Sequence, residues 1–98
     1  MYRGTTPTLV FTLPFEASGI SVLNIAFAQK LEVVLEKELE DCQLDGSQVT
    51  VKLTEADTLK FSHEDLLEIQ MRCVLDGNKL ASNIIRTDVK RILKDGAL

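Results

Sequence analysis

Apolar and polar residues alternate with a period of two along most of the chain, a pattern typical of β-strands. The alternation covers five runs: Thr8–Leu13, Leu23–Ala28, Leu31–Lys37, Val49–Leu53 and Leu67–Leu75. The last run is the most regular, and we expect the face that carries Cys73 to lie in the core. A closing strand is predicted over Ile84–Leu93, with Ile85, Thr87 and Val89 on one face.

Turn residues separate these runs. Asp45-Gly46 precedes the Val49 strand and Asp76-Gly77 follows the Leu67–Leu75 strand. Asp-Gly between alternating runs predicts a hairpin, because Gly tolerates the positive φ of a tight turn. Ser18-Gly19 marks a further turn, and Pro14, which has no N–H to donate, is expected to end the first strand.

Two segments contain helical signals. Leu31–Asp41 is rich in helix formers, and its apolar residues fit either a helical face or a strand. A strand over Leu31–Lys37 is favoured because the short connections around it leave a helix few places to pack. In Thr54–Asp57 a threonine precedes an acid by three residues, as in a capped helix start. We predict one helical turn there, with Leu59 and Phe61 filling the interior behind it.

Seven or eight short strands with regular turn spacing predict an all-β fold, a two-sheet antiparallel β-sandwich. A parallel α/β sheet is not expected, because helices and strands do not alternate. The 98 residues allow one domain, residues 1–98. Residues 1–6 and 94–98 are expected to be loose ends.

The charge balance argues against several partners. Fifteen acids against 11 bases give a net charge of -4, so the excess of positive charge with which proteins bind nucleic acids is missing. The sequence contains no apolar run of about 18 residues, so insertion into a membrane is not expected. The apolar stretch after the first residues is too short for a secretion signal. We therefore expect synthesis in a reducing cytoplasm, where Cys42 and Cys73 stay free. Two buried thiols and a disulfide between facing sheets both remain compatible with the sequence.

Familiar catalytic patterns are missing from the sequence. It contains no phosphate-binding loop and no nucleophile elbow. His63, the one histidine, lies in a polar stretch and is predicted to be exposed in a turn. Glu36, Glu38 and Glu40 would share one face of a strand, but without calcium-loop spacing they are interpreted as a solvated charged face. The sequence accordingly predicts no catalytic, cofactor-binding or metal-binding residue.

Four parts of the chain, taken in their order and spacing, resemble one group of phage proteins. These parts are Arg3–Thr8 with Phe11–Phe15, Leu53–Phe61, Glu68–Arg72 with Asp76-Gly77 and Ala81-Ser82, and Val89–Gly96. They resemble small phage and prophage proteins of Gram-positive bacteria, in particular the N-terminal immunoglobulin-like domain of phage baseplate upper proteins. The resemblance implies an antiparallel immunoglobulin-like β-sandwich in a virion or tail, without an enzymatic role.

The expected function is therefore that of a non-enzymatic structural protein of a phage or prophage virion or tail baseplate, made in the bacterial host cytoplasm. It would act through protein–protein assembly, with copies of itself or neighbouring phage structural proteins as partners, in a homo-oligomer or a larger assembly. Thr8–Leu13 and Ile84–Leu93, near the two termini, are the candidate edges for strand pairing between chains. The alternative for Thr8–Leu13 is an edge that proline at both flanks protects from pairing.

Two further features bear on partners. Gln70 and Arg72 point away from the Ile69–Met71 face and are candidate partner contacts; pairing with Glu68 or a neighbouring strand is the alternative. A different function is a small binding module that recognises a host surface glycan or protein, through an exposed patch containing Tyr2 or Phe15.

Overall fold

The computed structural model describes Met1–Leu98 and consists of two antiparallel sheets that enclose one apolar core. The strands are β1 (Thr8–Thr12), β2 (Ile20–Gln29), β3 (Glu32–Glu38), β4 (Cys42–Asp45), β5 (Gln48–Lys52), β6 (Leu67–Leu75), β7 (Asn78–Ala81) and β8 (Ile85–Thr87). One helical turn, α1 (Glu55–Thr58), and two 3₁₀ turns, Ala17–Gly19 and Leu39–Asp41, connect them. The predicted all-β sandwich of seven or eight strands is confirmed.

The strand order is that of an immunoglobulin-like sandwich. One sheet has the order β1-β5-β4 and the other β3-β2-β6-β7, with β8 paired to the first residues of β6. In immunoglobulin lettering these are strands B-E-D and C′-C-F-G, joined as a Greek key. A strand A beside β1 is absent, so β1 is an edge of its sheet.

The core is built from the inward faces of both sheets. Phe27 of β2 stacks on Phe61, with ring centroids 5.8 Å apart, and both side chains are fully buried. On β6 the alternate residues Leu67, Ile69, Met71 and Cys73 are buried, as the sequence predicts. The chain has no Trp and both thiols are free. The stacked phenylalanines therefore occupy a core that antibody domains fill with a Trp and a disulfide.

The predicted turns are present. Asp76 and Gly77 both have positive φ, 50° and 81°, which is the geometry of a type I′ hairpin between β6 and β7. The predicted helical turn is α1, capped reciprocally. The Asp57 N–H donates to Thr54 Oγ1 at 3.0 Å, and the Thr54 N–H donates to Asp57 Oδ2 at 2.9 Å. Of the two residues expected to fill the interior behind α1, Phe61 is fully buried and Leu59 is half-buried.

The predicted strand over Ile84–Leu93 is wrong in its length. β8 contains only Ile85–Thr87. Thr87 lies opposite Leu67, the first residue of β6, so the chain beyond it has no strand to pair with. The side chain of Val89 instead enters the core, and Lys90 makes an isolated parallel bridge to Tyr2.

A bulge corrects the face assignment in β3. The alternation over Leu31–Lys37 predicts Leu31, Val33 and Leu35 on one face, but only Leu35 is buried. The register of β2 and β3 shifts at Phe27/Ala28, which leaves an extra residue on β3 and turns Val33 outward. Leu31 lies in the hairpin turn rather than in the strand, and 94% of its surface is exposed. The choice of strand over helix for this segment is confirmed.

The N-terminal residues are hydrogen-bonded to the body of the sandwich. Arg3 donates through its guanidinium to the carbonyl oxygens of Leu59 (3.1 Å) and Phe61 and forms an ion pair of 3.2 Å with Asp95. The N–H of Thr5 donates to Oγ1 of the buried Thr58 at 3.0 Å, and that hydroxyl donates to the Thr5 carbonyl at 2.8 Å. These bonds hold the chain in place where it enters β1.

Candidate protein-interaction site

β1 presents backbone groups that no strand of the chain pairs with. Its ladder to β5 is bounded by two hydrogen bonds, Leu53 N–H to the Pro7 carbonyl (2.9 Å) and Leu13 N–H to the Ser47 carbonyl (2.7 Å). Odd-numbered residues of β1 therefore direct their N–H and C=O groups toward β5. Because successive residues of a strand point these groups to opposite sides, the even-numbered residues direct theirs to the open edge.

The open edge is uncharged. Its three outward-directed residues are Thr8, Val10 and Thr12, and all three side chains are exposed. Every other edge strand contains charge, which discourages pairing with another chain. These charged residues are Glu32, Glu36, Lys37 and Glu38 on β3, Asp45 on β4, Lys79 on β7 and Arg86 on β8. β1 alone lacks this protection within its length.

An apolar cleft opens next to β1, where the edges of the two sheets separate. It consists of two neighbouring parts that share no lining residue, one of about 590 Å³ between β1 and β8 and one of about 400 Å³ between Thr12–Phe15 and β7. The lining residues of both parts are mainly hydrophobic. The inward-directed Leu9 and Phe11 of β1 are only half-buried as a result. The cleft lies on the side of β1 where a strand A would run in a larger immunoglobulin-like domain.

Four large exposed apolar side chains lie at this cleft. Tyr2, Val10, Leu80 and Ile85 line it and are 51%, 54%, 39% and 48% exposed. Contiguous apolar surface on a small protein marks sites where another molecule binds. The combination of unpaired backbone groups and apolar side chains makes the β1 edge the strongest candidate interaction site.

The two predicted contact residues lie elsewhere, on the outer face of the second sheet. The amide nitrogen of Gln70 donates to the Ser82 carbonyl oxygen at 3.0 Å, so this side chain is engaged within the chain. Arg72 is exposed opposite Asn24 and forms no ion pair. The two residues are adjacent on one face of β6, but they do not reach the β1 cleft.

The remaining titratable residues considered in the sequence are dispersed. His63 is exposed in the connection between α1 and β6, and Glu36 and Glu38 are exposed on β3. The Glu36 carboxylate accepts a hydrogen bond from Asn24 at 3.0 Å. No group of three or more His, Cys, Asp or Glu side chains is close enough to hold a metal ion.

The two cysteines are free, in different sheets. Burial raises the pKa of the Cys73 thiol. Burial also raises the pKa of Cys42, as does the neighbouring Asp41 carboxylate, and Lys37 offsets only part of this. Both sulfurs are therefore thiols at neutral pH, and the disulfide left open by the sequence does not form.

Two anchoring contacts were not foreseen from the sequence. The Lys37 ammonium nitrogen lies 2.8 Å from Asp57 Oδ2, with both side chains largely buried, and Arg3 joins the N-terminus to the carbonyls behind α1. Each joins residues at least 20 positions apart, which no local pattern signals. Tyr2, held beside Lys90, is placed at the mouth of the cleft by the second contact.

Comparisons with protein-family models, with curated proteins and with solved structures found no match for the chain. The helices of the structure include none that is long and apolar enough to cross a membrane. The β1 edge is therefore the feature of the chain that points most directly to a function.

Proposed function

We propose that the chain is a non-enzymatic structural protein of a phage or prophage particle, associated with the virion or tail baseplate, and that it acts through protein–protein assembly. The observation that carries this proposal is the open β1 edge. Thr8, Val10 and Thr12 offer unpaired backbone groups, free of charge, beside an apolar cleft. An exposed edge of this kind is a template for adding a strand from another chain.

The resemblance to baseplate upper proteins supplies the setting for this role. A subunit of a particle needs a rigid body and a defined surface for its neighbours. The sandwich provides the first through its packed core, and the β1 edge provides the second. Main-chain hydrogen bonds would give such a contact its register, and the apolar cleft would add affinity.

The proposal is tested by locating the chain in purified particles. Particles released by induction of a lysogen that encodes the chain are banded on a density gradient and probed with an antibody to it. We expect the chain to co-sediment with the particles and to remain after a high-salt wash. Recovery of the chain only in the soluble fraction would contradict the proposal.

A second candidate function is a small module that binds a host surface glycan or protein, and the exposed ring of Tyr2 favours it. This ring is 51% exposed at the cleft, and the Lys90 ammonium nitrogen lies 5.3 Å from its centroid. An exposed aromatic ring gives a sugar a surface to stack on. Binding to a glycan array that Tyr2→Ala abolishes and Val22→Ala retains would favour this function over assembly.

A further inference from the structure

We propose that the open β1 edge is occupied by a second copy of this chain, in antiparallel pairing about a two-fold axis at Val10. This inference rests on the proposed assembly function and names the partner of the same site. The two three-stranded sheets would then join as one continuous sheet, β4-β5-β1 of one copy followed by β1-β5-β4 of the other. A closed pair of this kind is the commonest symmetry among soluble oligomers.

The register follows from the unpaired backbone groups. With Val10 on the axis, Thr8 of one copy lies opposite Thr12 of the other. All three residues direct N–H and C=O groups to the open edge, so each pair can exchange two hydrogen bonds across the axis. The side chains that meet are Val with Val and Thr with Thr, pairs that stabilise neighbouring strands. The edge is thus self-complementary in sequence as well as in backbone geometry.

Pro14, which follows β1, limits the pairing at one end of the open edge. Pro14 has no N–H, and its ring would face the open edge, so the ladder cannot extend beyond Thr12. A shift of the register by two residues in this direction would place Pro14 inside the ladder. Pro14 therefore limits how far the pairing can extend at the Thr12 end of the edge.

The charges around the edge favour the antiparallel direction. At the Thr8 end lie Lys52, which pairs with Thr8, and Lys90, which bonds to the N-terminal residues. At the Thr12 end lie Asp45, at the end of β4, and Glu16, next to the Ala17 that donates to the Gly46 carbonyl. A two-fold axis brings the basic end of one copy toward the acidic end of the other, whereas parallel pairing would place like charges together.

This complementarity matters because each chain has a net charge of -4. Two copies repel one another at long range, and the contact surface must avoid adding to that repulsion. The other edges would bring like charges together, such as Glu32, Glu36 and Glu38 on β3. β1 is the edge strand without a charged residue, so two acidic molecules can meet there without like charges facing within the strand.

The cleft supplies apolar area beyond the strand itself. A stable interface buries about 800 Å² on each partner, which is more than one five-residue strand offers. Tyr2, Leu80 and Ile85 flank β1 on the cleft side, and each is at least 39% exposed. A second copy seated on β1 would cover these side chains along with Val10. These side chains would therefore add apolar area to what the five-residue strand itself can bury.

The experiment is the native mass of the purified protein by light scattering after size exclusion, over a range of concentrations. Three variants accompany the 10.9 kDa wild-type chain. Val10→Lys places two like charges on the axis, and Val10→Pro removes an N–H that the monomer does not use. Val22→Lys is the matched control, because Val22 is 57% exposed on the central strand β2. Circular dichroism checks that each variant is folded.

We expect the wild type and Val22→Lys to have twice the monomer mass, and both Val10 variants to dissociate at least about tenfold more readily. A wild type that is monomeric at every concentration would overturn the inference. So would a dimer that persists in the folded Val10 variants, or one that Val22→Lys disrupts equally. If one Val10 variant fails to fold, the other decides. None of these results bears on virion association, which the particle fractionation tests separately.

Discussion

The ammonium nitrogen of Lys37 lies 2.8 Å from a carboxylate oxygen of Asp57, and both side chains are at least four-fifths buried. Lys37 belongs to the edge strand β3, and Asp57 closes the cap of α1. The contact therefore joins the sheet that contains β3 to the segment that follows β5 of the other sheet. Burial alone would raise the pKa of Asp57, but hydrogen bonds from Lys37 and Thr54, together with the Lys37 charge, outweigh it and hold the pKa below its ordinary value.

Breaking this pair should destabilise the fold at neutral pH. Lys37→Met leaves the Asp57 carboxylate partly buried without its cation, and we expect a loss of about 1–3 kcal/mol in the free energy of unfolding. Lys30→Met is the control, because Lys30 forms an exposed pair of 3.6 Å with Asp65, and it should cost less than about 0.5 kcal/mol. Urea denaturation at pH 7 measures both. Equal effects of the two substitutions would contradict the structural role of the Lys37–Asp57 pair.

The same pair predicts a pH dependence. Since the pKa of Asp57 is lowered on folding, its contribution to stability is complete above the unfolded-state pKa of about 3.9 and is lost as the pH falls through the folded-state pKa. Unfolding of wild type and Asp57→Asn, followed from pH 7 to pH 2, compares the two. The stability difference between them should shrink at acid pH, and a difference that stays constant would count against this assignment.

Removal of the α1 cap should have a smaller, local effect. Thr54→Ala removes the hydroxyl that accepts from the Asp57 N–H, and we expect a loss of about 1 kcal/mol. Thr54→Ser keeps the acceptor and should remain within about 0.5 kcal/mol of the wild type. Thermal unfolding of the two variants gives the comparison. An alanine variant as stable as the serine variant would show that the cap contributes nothing.

The N-terminal anchor depends on the shape of the Arg3 guanidinium. It donates to two carbonyls behind α1 as well as to Asp95, and one ammonium group cannot reproduce this geometry. Arg3→Lys should therefore lower the free energy of unfolding by about 1–2 kcal/mol. Asp95→Asn, which removes only an exposed pair, should cost less than about 1 kcal/mol. Chemical denaturation measures the free energy of unfolding of both variants. A larger loss for Asp95→Asn than for Arg3→Lys would contradict the greater contribution of the carbonyl contacts.

The sequence predicts the fold well where one local rule acts alone. Leu67–Leu75 alternates with the single exception of Val74, and the strand has those bounds. Thr54 and Asp57 satisfy the capping rule, and α1 starts between them. The prediction fails where tertiary geometry decides. The length of β8 is set by where β6 begins, and the outward turn of Val33 by a bulge against β2, neither of which leaves a local signal.

The candidate site, like the fold, could be predicted from the sequence only in part. Thr8–Leu13 is a candidate edge from its sequence because it lies near a terminus, whereas proline at both flanks is a feature that protects edges from pairing. Its position at the margin of the sheet depends on the strand order, and the cleft beside it depends on how the two sheets separate. Tyr2, which lines that cleft, has no sequence signal beyond its residue type. The interaction surface therefore arises only from the tertiary arrangement of the two sheets and has no counterpart in the local sequence.

Amide hydrogen exchange at Val10 is the most direct test of pairing through the β1 edge. The N–H groups of Leu9 and Phe11 are directed toward β5 and should be protected at every protein concentration. The N–H of Val10 is directed to the open edge, and we expect it to exchange freely in dilute solution and to gain protection as concentration rises. Fast exchange of Val10 at concentrations where the protein is associated would contradict the account, because the contact would then lie elsewhere.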